Sequence, residues 1–381
     1  MPEDIIPAQP VPVVVSTQTT VSRNGSKKPL LIAIAILIVS ICLLCIGGYL
    51  FILTQSNLNP NKNNSAAVPV GTKICSGVKI VFFSGGSESD AFARTVYNGA
   101  RAAELALGPS VNYLWSDWNS DTIITQFKTA ISQSPDAIAV MGHPGADALS
   151  PLVDEAEKKG IIVTMQNVDI STIREKYVSN GFGYVGQELI SSGKTLAEGT
   201  IRKHNLKAGD EVLVIAGGFV NGQPTTRTDR PYAVRDAFKT AGLKVDFEPQ
   251  GVDININAES DASIAETVAL IKKYPNIKAL VLDGGSMTAA APIYLNQAGI
   301  KPGELIVAGF DLSTETVKGI KNGYVSLVSD QQPYLQGFLP ILQTCLTKKY
   351  GFSGLYVDTG IGLIDSSNVD QVASLAKQGI R

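Results

Sequence analysis

KIVFFSGG at residues 79–86 and EVLVIAGG at residues 211–218 are the two stretches that decide the fold. Each is a short β-branched or aromatic run that closes on a glycine pair, the pattern of a buried strand ending in a tight turn. Each also opens a series in which strand-like and helix-like segments alternate. The first continues through VNYLW (111–115), AIAVM (137–141) and IIVTM (161–165). The second continues through 243–247, IKALVL (277–282), LIVAGF (305–310) and VSLVS (325–329). Amphipathic patterns over 91–107, 120–133, 146–159, 187–203, 230–241, 260–273 and 288–298 lie between them. Such alternation predicts an α/β protein with parallel sheets and helices on both faces. A pattern that occurs twice in one chain predicts two lobes.

In sheets of this kind the ligand-facing residues lie just beyond the carboxyl ends of the strands. In the first half those positions carry Asp90 and Phe92, His143, Gln166 and Asn167. In the second half they carry Asp283, Asp311 and Gln331, with Arg230 nearby. Carboxylates and amides accept from and donate to vicinal hydroxyls, Arg adds charged donors, and an aromatic ring covers an apolar C–H face. The set therefore points to a sugar or polyol. Any one Asp or Asn reads equally well as a turn former or helix cap; convergence from both halves favours a site. For His143, contact with the ligand and a structural role are equally open; Trp115 reads first as core or rim, and stacking on a sugar is the second reading for Trp118.

The residues argue against chemistry. Gly193-Lys194-Thr195 resembles the end of a P-loop, but the required earlier glycine is Glu188 and the segment sits within a helical pattern. Neither glycine pair completes G-x-G-x-x-G. The chain has two histidines, no G-x-S-x-G elbow, and no Cys or His spacing that suits a metal. No enzyme activity, cofactor or metal is expected. The formal net charge of −2 does not favour nucleic acid.

Residues 73–381 resemble the type I periplasmic binding proteins, specifically the ribose-type sugar-binding branch of ABC importers. The resemblance is carried by GFD at 309–311, SDQQPYLQG at 329–337 and Arg230-x-x-Ala233-Val234-x-x-Ala237, close to the family's R-x-x-G-F-x-x-A. It implies a two-lobed Venus-flytrap with three crossovers, near 183, 332 and 360. The first lobe is then 73–183 plus 332–359, and the second 184–331 plus 360–381. The resemblance implies ligand contacts from Asp90, Phe92, Arg230, Asp311 and Gln331, and docking of the closed form on a membrane permease whose ATPase lies elsewhere. Gln166-Asn167 stands where the family has Asp-Arg, Gly284-Gly285 where it has Asn-Asp, with Asp283 displaced by two, and Ala93 where it has a second Phe. The crossover pattern places Cys75 and Cys345 in one lobe, where a disulfide between them is expected. A monomer is expected, and the alternative role is the ectodomain of a sensory system for the same ligands.

Leu30–Leu53 carries no charge and, at 1.5 Å per helical residue, spans roughly 36 Å, enough to cross a bilayer. Arg23, Lys27 and Lys28 precede it and no cleavage site follows closely. The expectation is a retained transmembrane anchor at 30–53, a disordered cytoplasmic tail at 1–29, a flexible linker at 54–72 and the binding domain outside the cell.

Overall fold

β1 (Lys79–Gly85) is buried along all but its first residue, as befits a central strand covered on both faces. In this computed structural model, which describes residues 73–220, 222–225, 227–251 and 258–381, β1 lies between two parallel partners. They are β2 (Ser110–Trp115) and β3 (Ala137–Met141). Then β4 (Ile162–Gln166), β5 (Tyr184–Gly186) and β12 (Tyr356–Asp358) complete a six-stranded sheet of order β12-β5-β4-β3-β1-β2, parallel throughout. Alternate residues of β1 serve the two faces. Ile80 and Phe82 meet α1 (Ala91–Leu107) and α10 (Pro333–Tyr350), while Val81 and Phe83 meet α2 (Ser120–Ser132) and α3 (Ala146–Lys158). α1 and α10 approach closely because glycine stands at the crossing: a Cβ on Gly337 would lie 1.8 Å from the Val96 carbonyl oxygen.

The second sheet is built on β6 (Glu211–Val220), flanked by β8 (Lys244–Gly251) and β9 (Ala279–Leu282), and continues through β10 (Ile306–Phe310) and β11 (Leu327–Asp330). α5 (Leu189–His204) and α6 (Asp229–Thr240) cover one face. α7 (Asp261–Lys273), α8 (Gly285–Ala298), α9 (Thr314–Lys321) and α11 (Val369–Lys377) cover the other. The remaining helix, α4 (Ser171–Tyr177), lies in the first lobe.

Three features differ from the sequence expectation. The second sheet is mixed, because β13 (Gly362–Ile364) is antiparallel to β11 and β7 (Gln223–Pro224) folds back antiparallel on the end of β6. β13 has no choice of direction: the chain leaves β12 at its carboxyl end and enters the second sheet from the edge where β11 finishes. The first crossover falls at 187–188 rather than 183, because Tyr184–Gly186 is a strand of the first sheet, with Tyr184 fully buried. The helix expected from 288 begins at Gly285. The other two crossings occur at 331–332 and 359–361.

Cys75 and Cys345 form a disulfide, with Cα atoms 5.7 Å apart, which ties the start of the first lobe to α10. The expected tail, membrane span and linker (1–29, 30–53, 54–72) lie outside the described residues, among which no helix is long and apolar enough to cross a membrane.

Candidate functional site

Both sheets direct their carboxyl ends at the space between the lobes, and the loops there line a cavity. From the first lobe come Asp90, Phe92, Trp118, His143 and Asn167. From the second come Arg227, Gly285, Ser286 and Asp311, and Gln331 joins them from the second crossover. The cavity adjoins a larger outer cleft of about 770 Å³, bordered by Asp90, Phe92, Ser286 and Asp311 and by further serines.

The first-lobe wall is aromatic. Trp118 follows β2 in a left-handed conformation (φ +57°). Its indole lies across the Gly85-Gly86 turn, where Cβ atoms would stand 2.5 and 2.6 Å from the ring. The glycine pair after β1 is thus a seat for this ring. Trp118 Nε1 donates to Asp90 Oδ2 (3.1 Å), and the ring centroid is 5.8 Å from that of Phe92 and 5.2 Å from that of His143. Asp90 also caps α1, accepting from the Ala93 amide (2.7 Å). Each Asp90 oxygen therefore already holds one protein donor and keeps one lone pair. Burial, and then the charge of Arg227, push His143 down to about 3, so it is neutral in the physiological range.

The second-lobe wall carries charge. Asp311 follows β10 with φ +69°, and Asn167 follows β4 with φ +66°. Left-handed, non-glycine conformations each cost on the order of 1 kcal/mol, and these two border the cavity. Gln331 Nε2 donates to Asp311 Oδ1, and Asp311 Oδ2 takes no protein hydrogen bond among the described residues. Burial raises the Asp311 pKa to about 6, against the opposing influence of Arg230. Arg227 has no ion-pair partner among the described residues; burial and the neighbouring Arg230 lower its pKa.

Gln166, Arg230 and Asp283, expected at the ligand, do not line the cavity. Gln166 is fully buried and donates to the Phe83 carbonyl oxygen (2.9 Å), holding β4 to the end of β1. Arg230 and Asp283 are spent on each other: Arg230 Nε meets Asp283 Oδ1 at 2.7 Å, with Arg230 4% and Asp283 1% exposed. The guanidinium also donates to Gln187 Oε1 (2.9 Å) and lies 4.0 Å from the centre of the Phe310 ring. Arg227 takes the place at the cavity. An arginine in the turn after a strand is the signal for it, but β6 runs past the Gly217-Gly218 pair to Val220 and doubles back, so the turn lies beyond the end that the EVLVIAGG run suggests. Asn167 and Gln331 meet at the hinge, where Asn167 Nδ2 donates to Gln336 Oε1 (3.1 Å) and lies 3.5 Å from Gln331 Oε1.

This chain belongs to the family of periplasmic binding protein domains, whose profile matches residues 80–345. The xylose/arabinose-binding protein XylF of Sulfolobus acidocaldarius is 28% identical over 312 residues, covering 76% of this chain and 72% of that protein. Among solved structures, a carbohydrate transporter of Acidothermus cellulolyticus 11B in complex with myo-inositol superimposes with a TM-score of 0.65 at 24% identity, over 80% of this chain and 99% of that one. An ABC transporter solute-binding protein of Burkholderia graminis C4D1M with D-arabinose gives 0.64 at 21% identity, over 77% and 97%. The two structures bear on the fold alone.

The two arginines should part in mutation. Arg230→Met strands the buried Asp283 carboxylate and should cost about 3–5 kcal/mol of stability. Arg227→Met breaks no ion pair among the described residues; it should melt with the parent yet bind ligand about ten- to a hundred-fold more weakly. Equal loss of melting temperature in both would refute this division.

Asp311 sets a pH dependence of two opposite signs. Ionised, it is the stronger acceptor for ligand hydroxyls, so affinity should fall as pH drops through about 6. Its folded-state pKa lies above the ordinary 3.8, so its contribution to stability is present below that value and is lost as pH rises to about 6. Asp311→Asn should flatten both curves in ligand titration and thermal melting; curves that keep the parent's shape would assign the titration to another group.

Proposed function

We propose that this chain is the extracytoplasmic solute-binding subunit of an ABC importer and takes a neutral monosaccharide or polyol, with pentoses the first candidates. The observation that carries the reading is the pairing across the cavity of Asp311 and Arg227 with Asp90 and the Trp118 face. A carboxylate oxygen and a guanidinium without partners among the described residues suit the donors and acceptors of adjacent hydroxyls, and an indole and a phenyl suit the C–H face of a sugar ring. The relative from Sulfolobus acidocaldarius, named for binding xylose and arabinose, supports it.

The action is capture and release, with no ligand bond made or broken. Groups from both lobes line one cavity, so a ligand touching both favours the closed arrangement over the open one. In this reading residues 30–53 anchor the chain in the cell membrane with the N-terminus cytoplasmic. Residues 54–72 tether the binding domain outside, and the closed form docks on a permease. The uninterrupted apolar run and its basic flank support the anchor, and tethering raises the local concentration at the permease.

Calorimetric titration of the purified chain against aldopentoses, aldohexoses and myo-inositol, with an amino acid and a dipeptide as controls, tests the reading. At least one sugar or polyol should bind with one-to-one stoichiometry. Binding of a control compound with no response to any sugar or polyol would contradict it.

A further inference from the structure

The chain does not stay in the second lobe after its last helix. α11 is held there by Val369, Val372 and Ala376 in the core. Gly379 then ends the helix in the left-handed region (φ +65°), its N–H donating to the Ala376 carbonyl (3.1 Å) and that of Ile380 to Leu375 (3.0 Å). This turn carries the Gly379 carbonyl oxygen to the first lobe, where Asn98 Nδ2 on α1 donates to it at 3.2 Å. A Cβ at position 379 would stand 2.5 Å from that nitrogen, so glycine serves both the turn and the contact.

Two residues later Arg381 reaches the hinge. Its guanidinium lies 2.6 Å from Asp330 Oδ2, and Asp330 is fully buried. Among the described residues neither Asp330 Oδ2 nor Arg381 Nε has a well-aligned hydrogen-bond partner, so charge attraction between a buried carboxylate and a partly exposed guanidinium holds the contact. Arg381 is the one cation within ion-pair distance of Asp330 among the described residues. The other oxygen of Asp330 accepts the Gln332 amide (2.9 Å) and so shapes the backbone on either side of Gln331. Gln331 in turn holds Asp311 and lies against Asn167.

We propose that Gly379–Arg381 is a fourth connection between the lobes and that Arg381 is a positioning residue for the ligand site, acting through Asp330 on Gln331. The part concerning the ligand rests on the binding role proposed above; the part concerning the connection does not. Loss of the cation leaves a buried carboxylate without countercharge at the crossover, and the backbone of 330–332 rearranges to reach water. Gln331 then loses its register with Asp311 and Asn167. An uncovered Asp330 also repels the charge on Asp311, which faces Arg227, Arg230 and Asp330. Protonation of Asp311 should therefore begin at higher pH.

The test uses the full chain carrying Arg381→Gln, Arg381→Lys or Asn98→Ala, with two readouts. Hydrogen–deuterium exchange without ligand should speed up in Arg381→Gln over 327–336, with strand 279–282 unchanged, and Arg381→Lys should restore most of the protection. Affinity for the sugar or polyol that the parent binds best should fall about five- to ten-fold, with the pH midpoint of binding moved upward. Asn98→Ala leaves no buried charge unpaired and should speed exchange over 375–381; it serves if Arg381→Gln does not fold. Unchanged exchange over 327–336 in Arg381→Gln overturns the connection. Faster exchange there with parental affinity and pH midpoint overturns the positioning role. If the parent binds no sugar or polyol, the binding role and the positioning of a ligand site fall together, while exchange still decides the connection.

Discussion

Burying the guanidinium of Arg230 is the constraint on which this molecule turns. A charge at 4% exposure is tolerable only when its donors are met, and here they are met by Asp283 at the end of β9, by Gln187 at the first crossover and by the face of Phe310. From Gln187 the bonds continue to Ser329 (3.3 Å) at the second crossover and from Ser329 to the Gly360 carbonyl (3.0 Å) at the third. Gln332 reaches the Thr359 carbonyl (2.8 Å), and Gln336 reaches Thr359 Oγ1 (3.2 Å). One charged pair thus fixes the floor of the second lobe, while amides and hydroxyls join the three crossings. Amides and hydroxyls can change partner at small cost, whereas the buried ion pair cannot. That division gives a rigid floor and a hinge able to bend.

The same division explains which groups remain for a ligand. Arg230 and Asp283 satisfy each other, so neither is free to answer hydroxyls. Among the described residues Arg227 has no ion-pair partner and Asp311 Oδ2 takes no hydrogen bond, and both residues border the cavity. Desolvation there is costly for ions, as the raised pKa of Asp311 and the lowered pKa of Arg227 indicate. A ligand that supplied hydroxyls to both would relieve that cost, and the left-handed backbone at Asn167 and Asp311 borders the same cavity.

Much of this was legible in the sequence, and the exceptions have physical causes. The long central strands announce themselves because burial on both faces demands unbroken runs such as KIVFF and VLVIA. Tyr184–Gly186, Tyr356–Asp358 and Gly362–Ile364 are three-residue strands whose identity comes from their partners rather than their own composition. The strand-end rule led to Asp90, Phe92, His143, Asn167, Asp311 and Gln331, all of which border the cavity. It failed at Gln166, whose side chain turns back into the sheet, and at the arginines, since three positions separate the buried Arg230 from the cavity-lining Arg227. Which of two nearby arginines finds a carboxylate depends on where β9 ends, a tertiary fact. The Gly85-Gly86 pair was legible as a turn, but its use as a seat for Trp118 requires the indole's position.

The chain contains only two tryptophans, and one of them borders the cavity. With Trp115→Phe in place, Trp118 is the sole indole, and its emission reports directly on the proposed site. Titration of that variant with aldoses and polyols should give a saturable change in emission for at least one of them, weakened when Asp311→Asn is added. Emission that stays constant while the same compound is shown calorimetrically to bind would place the ligand elsewhere and contradict the account.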